Sequence, residues 1–288
     1  MRIAVILCCL LVAGSLRMPA FEAAAAQAGR DPAAHVFASR GGLDLKAYVF
    51  APAGAPPSDP RPAIVIFHGG GWAEGDAEWA FPRAQHFAER GMVAVAAQYR
   101  LSNGKDITPV DAMADARAVI RWMRTNASSL RIDPKRIAAY GWSAGAHLAA
   151  SPAPFDDEGE AVSSRPDALV LSSPAVSLEA DSWFQELLGN RARVQDVSPD
   201  AHVRAGMPPT VIVQGDVDTV TPLAGVSRFC DRMKAAGNTC ELHVFRGFGH
   251  LFTPAGMRDD RQPAPDRAVA AEAMARADRF LRTLGFQR

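Results

Sequence analysis

The pentapeptide Gly141-Trp142-Ser143-Ala144-Gly145 constrains this chain more than any other stretch, because it stands where the apolar run of residues 136–140 ends and an alanine-rich helical pattern, residues 144–150, begins. A serine at such a junction sits on a sharp strand-to-helix turn, which lifts its Oγ clear of the sheet and aims the next backbone N–H toward the same space. Glycines on both flanks leave room for the strand and helix to cross closely. A pattern this short also arises by chance, so its weight depends on the residues that accompany it.

Upstream, the apolar run of residues 63–67 ends in His68-Gly69-Gly70-Gly71-Trp72, a glycine-rich loop at the carboxyl end of a predicted buried strand. Such a loop can aim bare N–H groups at one point. Phosphate-binding loops are glycine-rich too, but they need a Gly-Lys-Ser/Thr ending or a third glycine opening a helix, and neither is present. Downstream, Asp216 and Asp218 follow the strand-like residues 209–213, and His250 closes Gly247-Phe248-Gly249-His250 after the strand-like residues 240–245. Taken singly, Ser143 reads as a turn serine, Asp218 as a helix cap ahead of Pro222, and His250 as a loop histidine. In the order serine, acid, imidazole, each after a buried strand, they read as nucleophile, orienting carboxylate and base. His147, one helical turn beyond Ser143, points away from the elbow and reads as a packing histidine.

This set of motifs resembles the α/β-hydrolases of the hormone-sensitive-lipase-like branch, and within it the secreted esterases that include bifunctional feruloyl and acetylxylan esterases. The resemblance runs from about residue 34 to the C-terminus through His68 to Trp72, Tyr99-Arg100-Leu101, the Ser143 turn, Asp218 and His250. It implies an oxyanion hole made by the N–H groups of Gly70, Gly71 and Ala144, with His68 tying down the loop. It also selects Asp218 over Asp216, because relatives carry Gly-x-x-Asp with a proline a turn later, a pattern met by Gly215, Asp218 and Pro222. The implied activity is two-step hydrolysis of short acyl esters of small molecules or carbohydrates by Ser143, His250 and Asp218, without metal or cofactor. An amide hydrolase of arylformamidase or peptidase type is the alternative, since the same triad serves both bonds. Two departures bear on substrate: Ser102-Asn103-Gly104 replaces the usual Ala-Pro-Glu, and little chain precedes the first hairpin to build a lid. An open site of that kind suits bulky alcohols. Trp72 and Trp142, beside the proposed oxyanion donors and nucleophile, are placed to shape the substrate pocket, with simple packing as the alternative for either. Residues 174–207, with Trp183-Phe184 and Leu187-Leu188, form either a short helix over the site or a plain surface connection.

The rest of the chain fits this frame. Residues 34–39 and 43–50 around Gly41-Gly42 alternate as an edge hairpin, and thereafter predicted strands (63–67, 92–98, 136–140, 168–172, 210–213, 241–245) alternate with predicted helices (77–89, 110–125, 144–150, 223–236, 266–283). That alternation predicts a mostly parallel sheet covered on both faces. The 31 basic residues balance the 31 acidic ones, which leaves no electrostatic footprint for nucleic acid. Arg2, the apolar residues 3–14 and the small residues through Ala28 read as a secretory leader, giving residues 1–28 as leader and 29–288 as one exported domain, secreted or periplasmic. No stable membrane association is expected after cleavage; an uncleaved anchor is the alternative, disfavoured by Arg17 within the apolar stretch. Of the four cysteines, Cys8 and Cys9 lie in the leader, leaving Cys230 and Cys240 as a disulfide across the Gly237-Asn238 turn or as two buried thiols. No ligands for zinc accompany them.

Overall fold

The computed structural model describes residues 31–53, 60–104, 106–155, 160–259 and 263–287, so the expected leader, residues 1–28, lies outside the described residues. The strands are β1 (Ala33–Arg40), β2 (Leu43–Phe50), β3 (Arg61–Phe67), β4 (Val93–Ala97), β5 (Ile132–Trp142), β6 (Ala168–Ser172), β7 (Thr210–Gly215) and β8 (Cys240–Phe245). They form one sheet in the order β1-β2-β4-β3-β5-β6-β7-β8. The β1–β2 hairpin and the β2–β4 pair are antiparallel, and every other pairing is parallel. This is the arrangement of the α/β-hydrolase fold.

The α-helices among the described residues are α1 (Phe81–Glu89), α2 (Pro109–Thr125), α3 (Ala127–Leu130), α4 (Ala144–Ala150), α5 (Ser182–Leu188), α6 (Val194–Val197), α7 (Leu223–Ala235) and α8 (Arg267–Thr283). Strands β3 to β7 are buried almost throughout because both faces are covered. Helices α1 and α8 pack with Ile64, Ile66, Tyr140, Trp142 and Val170 on one face, while α2, α4 and α7 pack with Val65, Phe67, Leu169 and Leu171 on the other. The alternation of side chains along each strand makes this division. No helix among the described residues is long and apolar enough to cross a membrane.

Three of the boundaries that differ from the sequence expectation have a local physical reason. The helix expected over 77–89 is a 3₁₀ turn, Ala77–Ala80, followed by α1, because Pro82 lacks the N–H a continuous helix would need and instead sits in the first turn of α1. β5 begins four residues earlier than expected, at Ile132: Arg61 pairs with Ile132, and the register then shifts before Ala63 pairs with Ile137. α8 starts at Arg267, with Asp266 outside the helix as its cap, accepting from the N–H groups of Ala268 and Val269.

Candidate active site

β5 ends at Trp142 and α4 starts at Ala144, so Ser143 alone makes the turn, at φ 54° and ψ −125°. A non-glycine residue held there stores backbone strain, which the surrounding packing has to support. The flanking glycines make that packing possible. A Cβ on Gly141 would collide with the carbonyl of Gly145, and one on Gly145 with the carbonyls of Phe67 and His68. The N–H of Ser143 donates to the Ser172 carbonyl at 3.0 Å, which anchors the turn to β6.

The three side chains that the sequence set in order meet at the carboxyl edge of the sheet. His250 Nε2 lies 2.9 Å from Ser143 Oγ, and His250 Nδ1 lies 2.9 Å from Asp218 Oδ2. His250 and Asp218 are 3% and 5% exposed, so the imidazole–carboxylate contact is shielded from water. Asp218 is fixed by further donors: Oδ1 accepts from the N–H groups of Val220 and Thr221, and Oδ2 from the Thr221 hydroxyl and the Gln214 amide. Asp216 is directed elsewhere, its carboxylate accepting the Gly247 N–H at 2.7 Å.

A second carboxylate, which the sequence reading did not find, supports the imidazole from behind. Asp259 Oδ2 accepts the backbone N–H of His250 at 2.8 Å, while Oδ1 accepts the Thr219 hydroxyl at 2.7 Å. One carboxylate thus ties the loop of His250 to the loop of Asp218. Burial pushes its pKa up, but the donors from His250 and Thr219 outweigh burial and hold it below the usual carboxylate value. In the sequence Asp259 sits among Arg258, Asp260 and Arg261, a charged run that reads as solvated surface. Ser173 adds a further tie, its Oγ accepting the N–H of Leu251 at 3.1 Å.

The glycine-rich loop is held from below. Gly70, Gly71 and Trp72 have φ of 109°, 55° and 60°, and the Gly70 carbonyl accepts from the N–H groups of Ala73 and Glu74. His68 is the brace the sequence suggested: its Nδ1 lies 2.6 Å from the Gly69 carbonyl, its ring stacks on Tyr99 at 4.4 Å, and Tyr99 donates to the His68 carbonyl. Burial lowers its pKa to about 4, so the ring is neutral near pH 7. The N–H groups of Gly70, Gly71 and Ala144 meet no hydrogen-bond acceptor among the described residues.

The two tryptophans expected to shape the pocket pack instead. Trp72 is 3% exposed and donates its indole N–H to Nδ1 of His147, while Trp142 is 6% exposed beneath the guanidinium of Arg83. Each large ring fills the layer under its loop, where burial of its surface stabilises the fold. His147 is the packing histidine it appeared from sequence, bonded through Nε2 to the Val197 carbonyl, and burial lowers its pKa to about 4. An exposed indole does meet the glycine-rich loop: Trp183, 47% exposed on α5, donates its N–H to the Gly71 carbonyl at 3.0 Å. The short helix over the loop is therefore real, and Asp181 caps it through the Phe184 N–H.

Cys230 of α7 and Cys240 of β8 are joined by a disulfide with Cα atoms 5.6 Å apart. It spans the turn leading into the strand that carries the His250 loop. Among the described residues no group of three histidine, cysteine, aspartate or glutamate side chains is placed to hold a metal ion.

Comparison with known proteins agrees with this geometry. The BD-FAE family profile matches residues 49–161. Esterase 2 of Thermogutta terrifontis, in its apo form, superposes with a TM-score of 0.80 at 37% identity, over 90% of this chain and 97% of that one; its butyrate-bound form gives 0.78 at 36%, over 89% and 95%. Endo-1,4-beta-xylanase B of Butyrivibrio fibrisolvens is 31% identical over 66% of this chain and 32% of its own length. Isoprenylcysteine alpha-carbonyl methylesterase ICME of Arabidopsis thaliana is 26% identical over 73% and 55%. The aligned part of the chain thus spans between about a third and about half of these curated relatives' length. The chain belongs to the α/β-hydrolase superfamily, among the carboxylic ester hydrolases of its hormone-sensitive-lipase-like branch.

Proposed function

We propose that the protein is an exported serine carboxylesterase that hydrolyses short-chain acyl esters, with acetyl or feruloyl esters of carbohydrates as its candidate substrates. The observation that carries the reading is the unbroken chain of contacts from Ser143 Oγ to His250 to Asp218, each 2.9 Å long. Ser143 Oγ attacks the ester carbonyl while His250 Nε2 takes its proton, and Asp218 holds the other ring nitrogen and stabilises the imidazolium. The N–H groups of Gly70, Gly71 and Ala144 receive the oxyanion. His250 then protonates the departing alcohol, and water, deprotonated by the same ring, releases the acid and restores Ser143.

The short-acyl preference is supported by the propionate- and butyrate-bound forms of the Thermogutta esterase. The carbohydrate reading draws on the BD-FAE match and the likeness to xylanase B. Export is supported by the leader-like residues 1–28 and by the disulfide, since such bonds persist in oxidising compartments. Two assays test the reading. A fluorophosphonate should label the wild type and spare Ser143→Ala, whose kcat should drop by about 10⁴- to 10⁶-fold. A panel of matched acetyl, butyryl and feruloyl esters and amides should favour the short esters. Labelling that persists in Ser143→Ala, or faster amide cleavage, would refute the proposal.

A further inference from the structure

The α1/α8 face of the sheet holds a cavity that the reaction does not use. It has a volume of about 70 Å³ and opens to solvent, and its walls include Tyr140, Ser172, Val213, Leu251 and, from α8, Ala270, Ala273 and Met274, but not Ser143. Strand alternation puts it there, sending Tyr140, Ser172 and Val213 away from the face covered by α2, α4 and α7.

Two of its polar groups are unspent. Arg83, half-buried at the wall, donates Nε–H to the Tyr140 hydroxyl at 3.0 Å and lays its guanidinium over the Trp142 indole at 4.2 Å. Its Nη groups reach no acceptor, and no carboxylate pairs with it, among the described residues. Ser172 is 3% exposed, yet its hydroxyl makes no hydrogen bond to any described residue. Stacking on Trp142 satisfies one face of the guanidinium and leaves the donors on its edge without a partner. A cation partly withdrawn from water without a counter-charge favours an anion, and the planar fork of arginine fits a carboxylate. The remaining walls are apolar, so the rest of the ligand must be apolar too.

We infer that this cavity binds an organic monocarboxylate with a short apolar chain, the carboxylate on Arg83 and Ser172 and the chain against Val213, Leu251 and Met274. A multivalent anion such as phosphate does not fit, because one cation and greasy walls cannot offset its desolvation. The site stands apart from the triad and does not depend on its reading, although Leu251 adjoins His250.

The test is a ¹⁹F NMR titration of the full chain with 4,4,4-trifluorobutyrate, using 4,4,4-trifluorobutanamide as the uncharged control. Saturable binding is expected, with Arg83→Gln weakening it about tenfold or more and the amide binding about tenfold more weakly than the acid. Ala270→Phe, which fills the cavity from α8 and leaves every charge in place, should weaken it similarly. Circular dichroism verifies folding of both variants, and if Arg83→Gln does not fold, Ala270→Phe decides. Absence of binding, binding insensitive to the substitutions, or equal affinity for the amide would overturn the inference.

Discussion

At the scale of single residues, the site depends on groups that hold other groups. Ser143 is strained into its turn by glycines that cannot be replaced, and His250 is aimed by Asp218 on one side and Asp259 on the other. Asp259→Ala leaves the N–H of His250 and the hydroxyl of Thr219 without their buried acceptor, which costs about 1–3 kcal/mol at the loops the carboxylate joins. The expected outcome is a kcat lowered about tenfold or more with KM little changed, and partial recovery in Asp259→Asn, which keeps one acceptor oxygen. Steady-state kinetics on both variants checks this, and an unaltered kcat in Asp259→Ala would remove its positioning role. The sequence indicated Ser143, Asp218 and His250 because each follows a strand in a fixed order. Asp259 follows no such rule, and its partner Thr219 is distant in the chain.

At the scale of elements, α5 and the α7–β8 turn act on the site without entering it. Trp183 of α5 fixes the Gly71 carbonyl, and with it the Gly71–Trp72 peptide plane that adjoins the proposed oxyanion donor Gly71. Trp183→Phe keeps the ring and loses only that hydrogen bond, so kcat/KM for a small ester should fall about five- to tenfold, the equivalent of about 1 kcal/mol. The disulfide closes a segment with a sequence separation of 10, and by loop entropy contributes about 3 kcal/mol. The Cys230→Ala/Cys240→Ala double variant is therefore expected to melt roughly 5–10 °C lower by calorimetry, and wild type under reductant should shift with it. Element types were legible from periodicity. Their ends were not: the tail of β5 is fixed by its pairing with Arg61, and the start of α1 by the position of Pro82.

At the scale of the whole molecule, two imidazoles are buried neutral beneath the site. His68 and His147 have folded pKa values lowered to about 4 by burial, against about 6.5 in the unfolded chain. Between those values the unfolded chain binds more protons than the native state, so stability falls as pH drops from about 6.5 toward 4 and is fully present above that window. For the fully buried His147 the loss reaches about 3 kcal/mol. Melting temperatures measured across the window should decline, and His147→Gln, which cannot titrate but can still bond Trp72 and Val197, should decline less steeply. Parallel slopes for the two proteins would show that His147 does not contribute.

The sequence by itself determined the elements, the mostly parallel sheet and the order of nucleophile, acid and base, because those follow from local periodicity and from turn chemistry at strand ends. The tertiary structure alone decided which groups meet. It directed Asp216 to the Gly247 N–H and Asp218 to the imidazole, packed Trp72 and Trp142 into the layers beneath the loops, and brought Trp183 onto Gly71 and Asp259 onto His250. The physical reason is that burial and hydrogen-bond satisfaction are settled by neighbours distant in the chain, and no pattern of nearby residues encodes them.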